Sequence, residues 1–474
     1  MKILLIQPPL LQYSSQIAPN LGLASIAAVL EKEGISVKVL EAVAESLSFD
    51  QIIERIREIN PDIVASGGQT PVSVNSIKIF RRVKHDISSR IVTLAGGPHF
   101  TFTAEESLKS CPELDIVVRG EGEYTILEVC QRFAKGEDLE GVNGITYRVA
   151  SGEIIRNPDR EQIQDLDSLP FPAWHLFPYK KYHWTGINVI GTSTSRGCKF
   201  KCPHCIVWKI HQGRRLKSPK RIVEELVWVK RKFGIDTFSF HDDSSFSERE
   251  HLESFLDEME KCGEKIYWYY ETREDVLLSY RDLWHRMKDN GMFKIVIGLE
   301  TPNNELRAFY GRNELKHKEV EDMFYYLEHE LDILVAVYLL FGSPDETKES
   351  IMETINYGKH LYPRYCSFIM GVPVTPFPGT ELHKEMKAKD LITTYDWGQY
   401  GFGQPIIKMK ISPEEGNRLF KQFWMKVYSR PIACMTWIKG LFSRNKFRRA
   451  IAKNFLLMPF QIIKLSRMRN IDDK

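Results

Sequence analysis

Three cysteines lie within eight residues of one another in the segment SRGCKFKCPHCIVWK, residues 195–209. Cys198, Cys202 and Cys205 have the spacing C-x₃-C-x₂-C. Three thiolates from one loop can ligate three corners of a cubane iron–sulfur cluster and leave its fourth iron open to a substrate or cofactor. Zinc is the alternative, because a structural zinc site needs four ligands and His204 or His211 would supply the fourth.

The five remaining cysteines are scattered, and eight in 474 residues are too few for a disulfide scaffold. We expect these five to be small buried hydrophobic side chains, namely Cys111, Cys130, Cys262, Cys366 and Cys434. The N-terminal run MKILLIQPPL is too short for a membrane span and lacks a small-residue cleavage site. Clustered cysteines and the lack of an export signal predict a cytoplasmic protein.

The overall composition is that of a folded protein with several domains. Hydrophobic residues make up 43% of the chain and charged residues 27%. At about 150 residues per domain, the length predicts two to four domains. The net charge of only +3 gives no general attraction to nucleic acid, so we expect no nucleic-acid partner.

Residues 1–135 alternate apolar runs with amphipathic stretches, which predicts a doubly wound parallel sheet of the Rossmann or flavodoxin type. The predicted strands are 2–7, 37–42, 62–68, 90–98 and 115–123, and the predicted helices are 21–34, 49–60, 76–86 and 125–136. Ligands of such sheets bind outside the carboxyl ends of the strands.

Glycine-rich segments stand at three of these predicted strand ends. They contain Ser66, Gly67, Gly68, Gly96, Gly97, Pro98, Gly120, Glu121 and Gly122. Glycine lets the backbone approach a large flat ligand closely, so these nine residues are candidates for binding one. The alternative is that they only form tight turns between strand and helix.

The rest of the chain divides into three parts. Residues 136–185 contain a hairpin-like stretch and three prolines within 170–178, which is typical of a connector. Residues 186–390 contain about six strand–helix units and predict an open partial (β/α)₆ barrel, with its chemistry at the carboxyl ends of the strands. Residues 391–474 are predicted to be mostly helical.

The C-x₃-C-x₂-C loop after the first strand of a partial barrel resembles the signature of the radical S-adenosylmethionine (SAM) superfamily. The resemblance implies a [4Fe–4S] cluster on Cys198, Cys202 and Cys205. It also implies that SAM chelates the open iron and is cleaved to a 5′-deoxyadenosyl radical. The residue before the last cysteine is usually aromatic in that superfamily, and here it is His204.

Further segments resemble those in which this superfamily contacts SAM. In HDDSSF (241–246) the candidates are Asp242 and Asp243, for which a helix N-cap is the alternative. In IGLET (297–301) the candidate is Glu300. Arg273 ends the third barrel strand and is a candidate for the SAM carboxylate, with a surface salt bridge as the alternative. FGSPDET (341–347) resembles a structural turn of the family, and TPFPGTEL (375–382) its segment near the adenine.

The N-terminal part resembles the cobalamin-binding domain that precedes the barrel in one large subfamily. PNLGLASIAAVLE (19–31), PDIVASGG (61–68), AGGPH (95–99) and VVRGEGE (117–123) match its layout, and the resemblance covers roughly residues 2–410. The D-x-H-x-x-G motif, whose histidine ligates cobalt in many cobalamin proteins, is absent, and His85 and His99 lie in another context. We therefore expect cobalamin to bind without a histidine ligand.

Within the subfamily, the sequence is similar to the group of anaerobic magnesium-protoporphyrin ester cyclases and hopanoid C-methylases. This resemblance implies cobalamin-dependent methylation of an unactivated carbon in a small hydrophobic, lipid-like substrate, and an electron donor such as flavodoxin or ferredoxin. The first alternative is oxidative cyclisation or hydroxylation of a tetrapyrrole-like substrate. The second is a non-catalytic cobalamin or metal sensor, which would have no need of the barrel.

The C-terminal segment 437–474 contains ten Lys or Arg and only two acidic residues, interleaved with apolar side chains. Such a basic amphipathic segment can lie in a membrane interface, so we predict peripheral contact with the inner face of the membrane. The alternative is a helical cap that packs over the barrel.

Overall fold

Two parallel sheets, each covered by helices, form the framework of the protein. The computed structural model describes residues 1–9, 16–17, 19–401 and 403–456. Both predicted α/β parts are confirmed. Among the described helices, none is long and apolar enough to cross a membrane.

The first sheet is doubly wound. The elements of this part of the chain are β1 (Lys2–Gln7), β2 (Gln16–Ile17), α1 (Leu21–Lys32), β3 (Ser36–Glu41), α2 (Ala42–Glu45), α3 (Phe49–Ile59), β4 (Ile63–Gly67), α4 (Thr70–Arg82), β5 (Val92–Gly96), α5 (Pro98–Phe102), α6 (Ala104–Ser110), β6 (Ile116–Val118) and α7 (Glu123–Lys135). The short strand β2 lies outside the first sheet. The parallel order is β3-β1-β4-β5-β6. Side chains of β1 alternate between two apolar clusters, Ile3 and Leu5 in one and Leu4 and Ile6 in the other, so both faces of the sheet are covered.

Two strands from the predicted connector extend this sheet. The strands β7 (Ile145–Arg148) and β8 (Ile154–Arg156) form an antiparallel hairpin, and β7 pairs with the edge of β6. Next in the chain, β9 (His183–Trp184) pairs with both β2 and β10 (Ile187–Asn188). The connector therefore ties the N-terminal segment to the start of the second part.

The second sheet has six parallel strands. The elements of this part of the chain are β11 (Ile190–Thr192), β12 (Ser195–Arg196), α8 (Val207–Ile210), β13 (Arg215–Leu216), α9 (Pro219–Phe233), β14 (Thr237–Phe240), α10 (Arg249–Cys262), β15 (Tyr267–Arg273), α11 (Glu274–Leu278), α12 (Trp284–Asp289), β16 (Met292–Glu300), α13 (Asn304–Arg307), α14 (His317–Tyr325), β17 (Leu334–Phe341), α15 (Lys348–Leu361) and β18 (Phe368–Pro373). The short strands β12 and β13 lie outside the second sheet and pair with each other. The strand order β11-β14-β15-β16-β17-β18 follows the chain. Trp268 and Tyr270 pack among the helices, and Tyr269 between them belongs to a separate cluster.

Helices follow the second sheet: α16 (Glu381–Ala388), α17 (Pro413–Tyr428), α18 (Pro431–Leu441) and a helical stretch at 446–456. Phe447 of this last stretch is buried and stacks on Phe293, with ring centroids 3.7 Å apart. Phe455 is also buried. Residues 446–456 therefore form the cap over the barrel that was the alternative for the C-terminal segment, and residues 457–474 of that segment lie outside the described part.

The scattered cysteines only partly follow the expectation. Cys111, Cys130 and Cys366 are buried, and Cys262 is half-buried. The prediction was wrong for Cys434, which is exposed on α18 because that helix packs on the body of the protein through few of its side chains.

Candidate active site

The loop that carries the three clustered cysteines is closed by a two-stranded ladder. The strands β12 and β13 pair antiparallel in a small sheet of their own, so the two ends of the loop 197–214 meet at this ladder. Gly197 has a φ of +88°, and a Cβ at this position would lie 2.1 Å from the carbonyl oxygen of Gly213. Glycine is therefore required at 197 for the two ends of the loop to meet.

The thiols of Cys198, Cys202 and Cys205 are half-buried and form no disulfides. Burial raises the pKa of the Cys202 thiol, and the positive charges of Arg312 and Arg273 oppose this rise. Within the described part of the chain, no three His, Cys, Asp or Glu side chains are arranged around a single metal ion. A cubane cluster needs no such convergence, since each thiolate binds a different iron; the zinc alternative gains no support.

Both candidate aspartates hold the cysteine loop. Asp242 accepts hydrogen bonds from the backbone N–H of Thr194, at 2.7 and 2.9 Å, and from that of Ser195 at 3.3 Å. Asp243 accepts one from the backbone N–H of Gly197 at 3.0 Å. Neither is a helix N-cap, because α10 is preceded by Glu248 at that position. Burial raises the pKa of Asp242, and its hydrogen bonds from Thr194 lower it.

Glu300 ends β16 in an unusual backbone conformation. Its φ is +66°, which is uncommon for a residue other than glycine and imposes backbone strain that the surrounding structure must support. Its carboxylate forms an ion pair with Arg312, which also lies 3.5 Å from the carboxylate of Glu274. Burial would raise the pKa of Glu300, but Arg312 outweighs burial and lowers it. Glu300 is therefore a buried carboxylate beside the cysteine loop.

Arg273 lies at the end of β15, as predicted, but it is not a surface residue. Its side chain is buried and donates to both carboxylate oxygens of Asp275, at 2.9 and 2.8 Å. The guanidinium also lies 4.0 Å from the ring centroid of Phe200, within the cysteine loop. Arg273 therefore forms a salt bridge, as the alternative had it, but with a buried guanidinium, and it places a positive charge near Cys202.

A cavity of about 1050 Å³ lies where the first sheet meets the cysteine loop. All nine residues of the three glycine-rich strand ends line it, as do His204, Cys205 and Asp243. A Cβ at Gly67 would lie 2.0 Å from the carbonyl oxygen of Gly96. A Cβ at Gly97, whose φ is +90°, would lie 2.9 Å from the backbone nitrogen of Gly68. These glycines are therefore needed for neighbouring strand ends to approach each other.

One of the nine, Glu121, is already engaged by protein groups. Its carboxylate accepts hydrogen bonds from Arg196 at 2.9 Å, from Arg215 at 3.0 Å and from the backbone N–H of Ile163 at 2.7 Å. Burial would raise its pKa, but the two arginines outweigh burial and lower it to about 2. Arg196 lies on β12 and Arg215 on β13, the two strands that close the cysteine loop. Glu121 therefore fixes this loop to the first sheet.

Comparison with known proteins identifies the two halves. The model of the B12 binding domain matches residues 9–130, and that of the radical SAM superfamily matches residues 192–358. The "Uncharacterized methyltransferase PH0819" of Pyrococcus horikoshii is 30% identical over 460 residues, which covers 95% of this chain and 97% of that protein. The chain belongs to the radical SAM family with a B12-binding domain.

Other relatives agree with this assignment. The anaerobic magnesium-protoporphyrin IX monomethyl ester cyclase of Rubrivivax gelatinosus is 27% identical over 95% of this radical SAM protein and 80% of the cyclase. The solved structure of OxsB with aqua-cobalamin and SAM has a TM-score of 0.74 at 16% identity, and covers 97% of this chain and 71% of that one. TsrM from Kitasatospora setae has a TM-score of 0.70 at 16% identity, with 97% and 98% covered. At such identity these two structures share the fold.

Family membership gives this radical SAM protein three cofactors: a [4Fe–4S] cluster, SAM and cobalamin. The residues present fit them. Three half-buried thiols beside Arg273 and Arg312 suit a cluster with anionic thiolate ligands. The cavity along the glycine-rich strand ends suits a ligand as large as cobalamin, since it exceeds the usual size of a small-molecule site.

The sequence did not mark three charged residues that matter here: Arg196, Arg215 and Arg312. Each pairs with an acidic residue that was a candidate, either Glu121 or Glu300. The two partners of Glu121 are 75 and 94 positions away from it in the chain. No spacing rule links such residues, so only the packing of the two parts reveals them.

Proposed function

We propose that this protein methylates an unactivated carbon in a hydrophobic, lipid-like substrate. One observation carries the proposal: a single cavity is lined both by the glycine-rich strand ends and by Cys205 and His204 of the cysteine loop. A methyl carrier on the first sheet and a radical source on the cysteine loop would thus open to one shared cavity. The names of two relatives, methyltransferase PH0819 and hopanoid C-3 methylase, are in keeping with methyl transfer.

The residues have distinct roles in this proposal. When bound, the cluster and SAM would supply a carbon radical, and cobalamin the methyl group. Cys198, Cys202 and Cys205 hold the cluster, while Asp242 fixes the strand end from which their loop leaves. Asp243, which lines the cavity, and Glu300 are the proposed contacts of SAM. We also propose a reduced flavodoxin or ferredoxin as the electron donor.

We propose that the chain divides as the sequence predicted: residues 1–135 bind cobalamin, 136–185 connect, 186–390 form the radical SAM part, and 391–474 form the C-terminal helices. The hairpin of β7 and β8 supports a structural role for the connector, because it extends the cobalamin-binding sheet. A cytoplasmic location is part of the proposal, and contact with the membrane is argued from α18 below.

The test of the main proposal is the mass of the product after anaerobic turnover with candidate lipids. A gain of one methyl group is the expected result. Cys202→Ala should lose both iron and SAM cleavage, whereas Cys434→Ala, at the exposed cysteine of α18, should keep both. Zinc in place of about four irons per chain after anaerobic reconstitution would contradict the cluster assignment.

A second candidate is oxidative cyclisation or hydroxylation of a tetrapyrrole-like substrate, which the full-length similarity to the Rubrivivax cyclase favours. The same mass measurement separates it from methylation, since an oxidised product without an added methyl group would replace the expected one. A non-catalytic sensor would bind cobalamin but leave SAM intact under reducing conditions.

We further propose that no histidine ligates cobalt. His85 is exposed and pairs with Glu113 at 2.9 Å. His99 lies at the cavity but is only 4% exposed, with its ring against Phe100 and Trp397. Electron paramagnetic resonance of the Co(II) protein should therefore lack nitrogen superhyperfine splitting. Splitting that disappears in His99→Ala would refute the proposal.

A further inference from the structure

The helix α18 turns most of its apolar side chains to solvent. Ile432, Met435 and Ile438 are 53, 55 and 52% exposed, and Phe442, just after the helix, is 84% exposed. Their spacing puts these four residues, which we call the α18 surface, on one side of the helix. The opposite side packs on the protein through buried Ala433 and through Trp437. Single exposed apolar residues are common, but a contiguous group of this kind marks an interaction surface.

Trp437 fixes the orientation of α18 on the protein. Its ring stacks on Phe455 with centroids 5.0 Å apart, and its indole N–H donates to the hydroxyl of Tyr362 at 2.5 Å. These two contacts of Trp437 hold one side of α18 against the protein, so the α18 surface on the other side faces solvent.

The surroundings of the α18 surface are strongly basic. Residues 416–456 contain ten Lys or Arg and no Asp or Glu. Lys446 and Arg448 in this stretch pair with acidic residues from other parts of the chain. Six others are exposed and form no ion pair with any carboxylate in the described part of the chain: Lys421, Lys426, Lys439, Arg444, Arg449 and Lys453.

The unpaired basic residues indicate which kind of partner the α18 surface binds. A second copy of the chain would bring a set of identical cations opposite the first, without carboxylates to neutralise them. An anionic lipid surface instead accepts apolar side chains at the acyl boundary and cations at the head groups. We propose that the α18 surface docks on an anionic membrane surface, with its four apolar side chains in the interface.

This proposal goes beyond the proposed methyl transfer and does not depend on it. It keeps Ile438 and Phe442 of the predicted segment 437–474 and adds Ile432 and Met435, which precede that segment. The apolar side chains Phe447 and Phe455 of the predicted amphipathic segment are buried in the cap and cannot enter a bilayer. The four apolar side chains of the α18 surface precede that cap.

The test is co-sedimentation of the full chain with two kinds of vesicle, phosphatidylcholine alone and phosphatidylcholine mixed with phosphatidylglycerol. We expect binding to the anionic vesicles only. The variant Ile438→Glu/Phe442→Glu should lose it. The matched control Tyr395→Glu, at an aromatic residue that is 50% exposed outside α18, should bind like the unmodified chain.

A second variant tests how much the basic residues contribute to vesicle binding. Each basic residue near an anionic surface contributes about five-fold to partitioning, so Lys439→Ala/Lys453→Ala should weaken binding about 30-fold. Melting temperatures equal to that of the unmodified chain would show that the variants are folded.

Three results would overturn the proposal. One is a folded full chain that stays in the supernatant with anionic vesicles at low salt. Another is a dimer, seen by light scattering after size exclusion, that Phe442→Glu converts to monomer, because the α18 surface would then be an interface between two copies. Binding lost equally in Tyr395→Glu would also contradict it.

Discussion

Glu121 allows a quantitative test of how the cysteine loop is fixed to the cobalamin-binding sheet. The Glu121 carboxylate is 7% exposed and accepts from Arg196 and Arg215, which flank the cysteine loop. Lowering its pKa from 4.5 to about 2 corresponds to about 3 kcal/mol in favour of the folded state, at about 1.36 kcal/mol per pH unit. Removing one partner of a buried ion pair costs about 3–5 kcal/mol in other proteins, which agrees.

We therefore expect Glu121→Gln to lower the free energy of unfolding by about 3 kcal/mol, measured by urea titration at neutral pH. The matched control is Glu105→Gln, which breaks a 3.0 Å ion pair between Glu105 and Arg156, both about half-exposed. Exposed pairs contribute about 0–1 kcal/mol, so this control should differ little from the unmodified chain.

The pH dependence gives a second, independent check. A carboxylate whose pKa is lowered on folding stabilises the protein fully above its unfolded pKa, and this stabilisation is lost as the pH falls through the folded pKa. The difference between the unmodified chain and Glu121→Gln should thus be constant above about pH 5 and shrink towards pH 2. Equal stability of the two chains at neutral pH would refute the reasoning. So would a loss of cobalamin affinity in Glu121→Gln without any loss of stability.

Three further variants test the site. Gly67→Ala should weaken cobalamin binding and lower the free energy of unfolding by about 1–3 kcal/mol, because its Cβ would lie 2.0 Å from a backbone oxygen. Gly96→Ala, with its nearest neighbour at 3.7 Å, is the control for stability. Arg312→Gln leaves Glu300 without its ion pair and should weaken SAM binding measured by equilibrium dialysis, unlike Arg418→Gln on the surface. Burial raises the pKa of Glu41 to about 8. The stability of the folded chain that depends on this protonated carboxyl is full below pH 4.5 and is lost as the pH rises through about 8. Glu41→Gln should therefore raise the melting temperature at about pH 9 but not at pH 4.

The sequence was sufficient for features that depend on residues close together in the chain. Alternating apolar runs gave both α/β parts, because a buried parallel strand must be apolar throughout and its crossover helix must be amphipathic. The spacing of Cys198, Cys202 and Cys205 identified the cysteine loop for the same reason, since one short loop supplies all three thiols. The glycine-rich strand ends were visible because neighbouring parallel strands present the same end to a ligand.

Only the tertiary structure decided which charges meet. Arg312 pairs with Glu300 across 12 positions of the chain, and Arg215 with Glu121 across 94. Glu121 illustrates the limit: its place at a strand end suggested a ligand contact, whereas its carboxylate is engaged by two arginines of the cysteine loop.

The C-terminal helices show the same division between sequence and structure. Their sequence shows that they are basic and apolar, but it does not show which of the apolar side chains pack against the rest of the protein. The structure buries Phe447 and Phe455 against the barrel and leaves Ile438 and Phe442 in solvent. Composition is a property of the chain, whereas burial depends on which neighbouring surface each side chain meets, and that surface exists only once the two sheets are assembled.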